Sequence, residues 1–548
     1  MSNSKNPFAS VQPQETDVKE RDLTIFMQMM NELKKEPKKD KQPDYIACLL
    51  EVAGKFQYLR DPFKNYYAVI CEDEKEEIVP IESKKFKKLL NRELKTRHGK
   101  LLSEKSLVPV IWEISLSAEK TAKDCPFIRR VAADKEALYI DRGTTPASFI
   151  RVDHTTAEKK LVTKVPFIPR TFSSNLPIEF PMKSDGRQFE RFFERMALTD
   201  TLDQLLVCTF LVSKLFYEDL TPILAITGPE NSGKSVLADA IKSIIDPSFE
   251  LSNLPDKKSN LIQIFDHQFL PGIDNISSIS KDYSDLFCTM YTGGACSKRV
   301  EFSVDDEHVY AIKNSGILVF IKMKNIPSDL LSRMFFIKRE QFHESETSDT
   351  NLRKSINNMH PYLLDELLDL YVQVRNIRDY GDSIKTRDRS KDFVAIGKII
   401  ADVVFNDESL IDKLVERNFG YRYDLKVTNN EAVSAMISLL SGKQGYTGTM
   451  TQIKEMIIKS GGYLNNNLHN PATFAKQINE GEDLLREKGI TFTKGTKGNV
   501  NSMYTFVNHN FVVPESKPKS NFDRIYPEIA ATLTSKSEPD DSVVTDNA

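Results

Sequence analysis

One stretch constrains this chain more than any other: an aliphatic run, Ile223-Leu224-Ala225-Ile226, that leads into a glycine-framed loop and then a segment with apolar residues at helical spacing. The loop reads Gly228-Pro229-Glu230-Asn231-Ser232-Gly233-Lys234-Ser235, and Val236, Leu237, Ala240, Ile241 and Ile244 follow it. The pattern predicts a buried parallel strand, a tight loop and a helix. Gly228 and Gly233 permit backbone conformations that a side chain forbids, so successive N–H groups and the helix N-terminus can point at phosphate oxygens. Lys234 adds a point charge for β- and γ-phosphates, and the Ser235 hydroxyl is placed to ligate Mg²⁺. The spacing is a full Walker A match, which a chain of this length meets by chance about twice in a hundred. ATP with Mg²⁺ is the expected cofactor.

The 548 residues exceed what one hydrophobic core serves, so a multidomain α/β protein is predicted. No apolar run reaches the length of a membrane span and the N-terminus carries no signal-type apolar core, which predicts a cytoplasmic protein with no membrane partner. The six cysteines are scattered without C-x-x-C spacing, which indicates neither a disulfide framework nor a zinc site. A net charge of −3 leaves nucleic acid open as a partner, because a basic surface can be local.

Residues 1–43 are rich in Lys, Glu, Gln and Pro and read as a basic leader, with a short helix over Leu23–Leu33. Residues 44–182 read as an α+β domain. It contains strands at 66–71 and 77–81, then a basic amphipathic helix over 83–98 with Phe86, Leu89, Leu90 and Leu94 as its apolar stripe. That helix either faces DNA or presents an ordinary solvated face. Further short strands are predicted at 127–131, 137–141, 149–152 and 161–165. Residues 183–345 hold the phosphate-binding core. Within it Asp274, in Phe269–Asn275, is the expected Mg²⁺ acid at the end of a neighbouring strand, with Asn275 beside the γ-phosphate; the alternative is a surface Asp-Asn turn. Pro271 and Gly272 sit awkwardly for a central strand. After Gly293-Gly294 and the basic pair Lys298-Arg299, two strand-like runs flank Asp305-Asp306-Glu307.

Residues 346–428 read as a helical lid and connector, in which Pro361 begins or kinks a helix. Residues 429–509 read as a winged helix-turn-helix. Asn430 starts its first helix, a threonine near 449–451 caps the second, and a third runs from Asn470-Pro471 to Lys488 with Gly489 as its stop. A hairpin follows whose tip carries Lys494 and Lys497, so the third helix and wing are the expected duplex contact. Glu480, Glu482 and Asp483 on that helix would repel phosphate, which leaves open a packing module instead. Residues 510–548 read as an acidic tail with a short helix over Ile525–Leu533.

The order of these motifs, ending with a hydrophobic strand and Asp329-Leu-Leu-Ser-Arg333, resembles AAA+ superfamily 3-type ATPases. More narrowly it is similar to the primase-helicase-like replication proteins of prophages, plasmids and other mobile elements. The resemblance covers residues 200–375 and implies a P-loop AAA+ core that forms a homo-oligomeric ring, expected to be a hexamer, with ATP between subunits. It implies that Arg333 acts in trans as an arginine finger, and that Lys298 and Arg299 belong to a hairpin contacting single-stranded DNA in the channel. Two positions depart from the pattern. Phe320 stands where the strand 316–321 should carry a polar sensor, leaving Lys322 or Asn325 for that part, and Asn275 stands where many relatives have a second carboxylate. The expected function is a DNA helicase of a phage or mobile element. An ATP-switched DNA-binding scaffold is the alternative, and a primase the more distant one, since the N-terminal segment offers no cluster of metal-binding acids.

Overall fold

The computed structural model describes residues 44–511, apart from 63, 73–74, 146, 170–175, 217–220, 248–250, 300–306, 325, 341–348, 378–384, 463, 465 and 498–500. The predicted leader and its helix, and the tail beyond residue 511, lie outside the described residues. The chain divides into two compact units, Met1–Tyr421 and Arg422–Ala548. The architecture is mixed α/β and multidomain, with a parallel sheet in the first unit.

The first unit opens with α1 (Tyr45–Ala53), β1 (Gln57–Arg60), β2 (Tyr66–Glu72), β3 (Lys75–Pro80), α2 (Lys84–His98), α3 (Glu104–Thr121) and β4 (Lys123–Asp124). Its sheet runs β3-β2-β1-β4. The Asp44 carboxylate caps α1 by accepting from the Ile46 and Ala47 amides (3.1 and 3.2 Å). Ser83 caps α2 in the same way through Phe86, and Gly99 at φ +66° ends it. The stripe expected on α2 is its buried face: Phe86, Leu90 and Leu94 are fully covered, in one core with Leu49, Val79 and Val110. The whole of α3 is an element the sequence reading does not contain. Pro109 sits inside it, and Val108, Trp112 and Leu116 are exposed, so its apolar residues do not trace one clean stripe.

Next come β5 (Phe127–Ile128), β6 (Val131–Ala133), β7 (Ala137–Asp141), β8 (Phe149–Asp153), β9 (Lys159–Val162) and β10 (Ile168–Pro169), with β6 to β9 forming an antiparallel meander. The single strand expected over 127–131 is two strands, because the chain bends at Arg129-Arg130 and turns Arg130 inward. Arg130 is fully buried. Its guanidinium donates to the Asp246 carboxylate (3.0 Å) and to the carbonyls of Asp141 (3.1 Å) and Leu176 (3.1 Å). Lys242 reaches the same carboxylate at 3.2 Å, so a buried carboxylate between two cations ties this meander to the helix that follows the glycine loop.

That helix belongs to the centre of the unit, built from α4 (Gln188–Arg195), α5 (Thr201–Leu215), β11 (Ile223–Thr227), α6 (Lys234–Ile245), β12 (Ser252–Asn253), α7 (Lys258–His267), β13 (Gly272–Ser278) and α8 (Lys281–Thr292). The hairpin β14 (Ala295–Arg299) and β15 (Glu307–Ala311) follows, then β16 (Ile317–Lys324), α9 (Ser328–Leu331), β17 (Met334–Lys338), α10 (Asp349–Ile377), α11 (Lys391–Phe405) and α12 (Leu410–Asn429). Five strands form a wholly parallel sheet in the order β12-β13-β16-β11-β17. Leu224, Ile226, Ile317, Val319, Phe335 and Ile337 share one core with α5, α6, α10, α11 and the meander. Pro361 neither begins nor breaks α10, which runs continuously through it for 29 residues. Ile356 on one side and Leu363, Leu364 and Leu367 on the other are buried, and that packing carries the helix across the missing backbone bond. Pro271 lies just outside β13 and costs it no ladder donor; its carbonyl accepts from Ile317 at 2.9 Å.

The second unit holds α13 (Glu431–Leu440), β18 (Gly445–Thr449), α14 (Met450–Lys459), a 3-10 turn at Asn466–His469, α15 (Pro471–Glu480), α16 (Glu482–Glu487), β19 (Ile490–Lys497) and β20 (Asn501–Asn508). Its antiparallel sheet runs β18-β20-β19. Asn430, Thr449 and Asn470 cap the three helices as expected, Thr449 through a capping box with Gln452. The third helix does not reach Lys488 unbroken. It stops at Gly481, where an added Cβ would stand 2.3 Å from Val433 Cγ2, so glycine is what lets α13 approach this closely, and α16 begins anew. Gly489, at φ +72°, ends α16.

Candidate functional site

The glycine loop sits at the carboxyl end of β11, an interior strand of the parallel sheet, which is where ligands of such sheets bind. The Thr227 carbonyl, last in β11, accepts from the Arg339 amide at 2.7 Å. The backbone then turns through Gly228 (φ +154°), Asn231 (φ +58°) and Gly233 (φ +69°). Ser232 Oγ donates to the Pro229 carbonyl at 2.8 Å and closes the loop on itself. Lys234 Nζ lies across it, bonded to the Pro229 carbonyl and 3.3 Å from Ser232 Oγ. Because Gly233 is the N-cap of α6, no side chain accepts from the first-turn amides, and the positive end of the helix dipole faces the loop. Pro229, Glu230 and Asn231 are exposed at its outer rim, and Ser235 is half-buried in the first turn.

Gly228 shows how tightly the loop is built. A Cβ there would lie 2.4 Å from the Arg339 carbonyl oxygen, a backbone atom, at a φ that L residues rarely adopt. Gly228→Ala is therefore expected to give a folded protein whose affinity for a fluorescent ATP analogue falls at least tenfold, checked by titration beside a thermal melt.

Asp274 lies in β13, next but one to β11 with β16 between them, rather than on an adjacent strand, and within the strand rather than at its end. The register explains its placement. Ile273 pairs with Leu318 and Ile276 with Phe320, so Asp274 and Asn275 together oppose Val319: a β-bulge, with Asn275 in the left-handed region at φ +58°. The bulge re-aims the carboxylate, which accepts from the Asn275 amide at 2.7 Å. Burial lowers the Lys234 pKa, and Asp274 and Glu230 push it back up, so Asp274 stands within electrostatic reach of the loop lysine. Asn275 Nδ2 donates to Asn253 Oδ1 on β12 at 3.3 Å.

Uncapped amides, a lysine and a serine hydroxyl suit a polyphosphate, and the oxygens of Ser235 and Asp274 are hard ligands of the type Mg²⁺ takes. The residues present thus fit a nucleoside triphosphate with its cation. Phe320 is fully buried, level with Thr227 across β16 and β11. The strand continues past it to Lys324, and Lys322 is exposed; Asn325 lies outside the described residues.

One residue of the site has no signal in the sequence. Arg339, just beyond β17, is buried and donates from Nε to the Ser232 carbonyl (3.1 Å) and from Nη1 to the Ala197 carbonyl (3.0 Å), bracing the loop from behind. Nearby, Arg417 bridges Asp200 (2.8 Å) and Asp203 (2.5 Å). Burial raises Asp203 to about 6 against the pull of Arg417.

Arg333 and the loop are not brought together within one chain. The Arg333 carbonyl accepts from Ile223 at the start of β11, while the loop follows Thr227 at its end, about 15 Å along the strand. Lys298 and Arg299 pair in backbone register with His308 and Glu307; their side chains, like residues 300–306, lie outside the described residues. Lys494, opposite Tyr504 in the β19–β20 hairpin, is exposed with Nζ 5.8 Å from that ring, and Lys497 pairs in register with Asn501 at the last described step before the tip. No helix among the described residues is long and apolar enough to cross a membrane.

Fold and loop together define a mixed α/β protein with a glycine loop at the carboxyl end of an interior strand of a parallel sheet. Residues 192–402, under half of the chain, match the family described as actinomycete integrative conjugative element replication protein. That segment holds the loop, Asp274 and Arg333. None of the curated proteins compared with the chain matches it. Among solved structures, the apo A form of the NrS-1 C-terminal region matches at 10% identity and a TM-score of 0.38, covering 86% of this chain and 100% of that one. Another structure of that region matches at 13% identity and a TM-score of 0.35, covering 85% and 100%. The JCV helicase matches at 14% identity and a TM-score of 0.19, covering 43% and 68%.

Proposed function

We propose that this chain is a replication protein of a mobile element that works as a ring-forming, Mg-ATP-dependent motor on DNA, of the helicase kind. The reading assigns a P-loop AAA+ core to the parallel sheet and a winged helix to the second unit. The observation that carries it is the loop itself: a full Walker A spacing, folded at the carboxyl end of an interior parallel strand, with uncapped helix amides and Lys234 within electrostatic reach of Asp274. The family match over residues 192–402 supports the setting in replication.

In this reading the loop amides and Lys234 bind and orient the triphosphate, and Ser235 with Asp274 offers oxygen ligands to the cation. Bound Mg²⁺ supplies charge that offsets the phosphate oxygens as the terminal bond breaks. Arg339 keeps the loop from spreading by holding the Ser232 carbonyl. The edge that carries Arg333 meets the next subunit, and the β14–β15 hairpin presents Lys298 and Arg299 to a single strand in the channel. ATP turnover measured with and without single-stranded DNA tests the proposal. A motor hydrolyses faster with DNA, and a protein that binds ATP yet shows no DNA-stimulated turnover is not one.

A second reading, an ATP-switched DNA-binding scaffold, is favoured by Phe320, whose buried ring occupies the strand position level with Thr227. The two DNA contacts also separate by experiment. Each phosphate contact releases counterion on binding, so losing one flattens the salt dependence. Lys298→Ala with Arg299→Ala is expected to lower single-strand affinity and remove DNA stimulation while basal hydrolysis persists. Lys494→Ala with Lys497→Ala is expected to lower duplex affinity instead. A salt titration of both double variants reads the difference, and an unchanged slope in the first would move the strand contact away from β14.

A further inference from the structure

Resting on the ring reading above, we infer that Arg389 is the guanidinium this edge presents to a neighbouring subunit's phosphates, with Arg333 held back as the residue that positions Asp329. Arg333 is only 7% exposed. Its Nη1 donates to the Asp329 carboxylate and, at 2.7 Å, to the Asp329 carbonyl, and its guanidinium lies 5.7 Å over the Tyr291 ring. Its Nε is buried with no acceptor among the described residues. Reaching outward would break charge-assisted bonds and strip the cation from the ring that stacks it.

Arg389 has the opposite character. Its side chain is 42% exposed, Nη1 donates to Ser332 Oγ at 3.2 Å, and it stands 3.8 Å from Asp329 Oδ1, a loose surface contact that is readily given up. Yet its backbone is fixed on both sides. Asp388 and Ser390 are each 2% exposed, the Ser390 amide donates to Asp388 Oδ1 (2.9 Å), and Ser390 Oγ shares a hydrogen bond with Tyr291 Oη (2.9 Å). Tyr291 thus anchors both arginines, one beneath its face and the other beside its hydroxyl. A firmly rooted arginine with an exposed head, next to a carboxylate already engaged from below, is suited to reach an anion on another subunit; one sealed against an aromatic ring is suited to hold that carboxylate still.

The test uses the full-length protein with ATP and single-stranded DNA. Arg389→Ala is expected to lower kcat about 10³-fold, with ATP-analogue affinity, oligomeric state and melting temperature unchanged. Mixed with Lys234→Ala subunits, it should recover hydrolysis at interfaces that pair an intact loop with an intact Arg389. Arg333→Ala should lower the melting temperature, while Arg333→Lys, which keeps a cation against Asp329, should restore turnover. If Arg389→Ala turns over at the wild-type rate, or mixing recovers nothing, the inference is overturned while the ring reading stands. If the wild-type protein neither oligomerises with an ATP analogue nor hydrolyses ATP, the ring reading falls and takes the inference with it.

Discussion

Lys234→Ala is expected to abolish ATP binding while leaving the fold intact. The lysine is half-buried, and burial already lowers its pKa, so its ammonium is poorly solvated and available to a phosphate. Removing it leaves the carboxylates of Asp274 and Glu230 without their nearby cation, which turns an attractive site for an anion into a repulsive one. The loop keeps its shape, because the Ser232 bond to the Pro229 carbonyl and the Arg339 bond to the Ser232 carbonyl do not involve the lysine. A ligand present at about 100 times its Kd stabilises the folded state by about 2.7 kcal/mol, so nucleotide should raise the wild-type melting temperature. The variant should melt near the nucleotide-free wild type at every ATP concentration. A folded variant that retains the nucleotide-induced rise would show that the triphosphate is held elsewhere.

Asp246→Asn is expected to destabilise the first unit by about 3–5 kcal/mol, the usual cost of breaking a buried ion pair by removing one partner. The carboxylate is fully buried and accepts from Arg130, Lys242 and the Leu270 amide (2.8 Å). Burial works against its charge, yet Lys242, Arg130 and that amide outweigh it and hold the carboxyl below its ordinary range. In the variant Lys242 can shed its proton, whereas Arg130 cannot and stays charged in the core. The sign of the pH dependence follows. A folded-state pKa below the unfolded value, about 3.9, contributes stability that is complete above that value and is lost as pH falls through the folded pKa. The wild-type advantage in a urea melt should therefore be flat above about pH 5 and shrink below about pH 4. A difference that persists undiminished in acid would mean that packing, not the carboxylate's charge, accounts for it.

What was legible in the sequence was local. Gly228, Gly233, Lys234 and Ser235 carry the loop in one short span, and the helix caps Asn430, Thr449 and Asn470 act on amides two or three residues away. Elements whose pattern is blurred by their surroundings were not. α5 is buried nearly all round and has no polar face to reveal its period. β18 includes two glycines in five residues and owes its strand form to pairing with β20, far along the sequence. The bulge at Asp274-Asn275 is likewise a property of the β13–β16 register, and the third helix breaks at Gly481, where α13 packs too close for a side chain. Arg339, Arg130 and Arg389 look like any surface arginine until the fold decides which is walled in, which braces a loop and which is left outside.

The Arg130–Asp246 bond has a consequence for the order in which the protein can be made. Its partners are 116 residues apart. At roughly 5–20 residues per second, a ribosome delivers Asp246 about 6–23 seconds after Arg130. From Val162 onward the strands of the meander are all synthesised, yet until Asp246 emerges it cannot seal its guanidinium without burying a bare charge. Docking must wait for the end of α6, so the nascent chain meets its surroundings with that face open, and slowing translation between these positions should lengthen its exposure to proteases and chaperones.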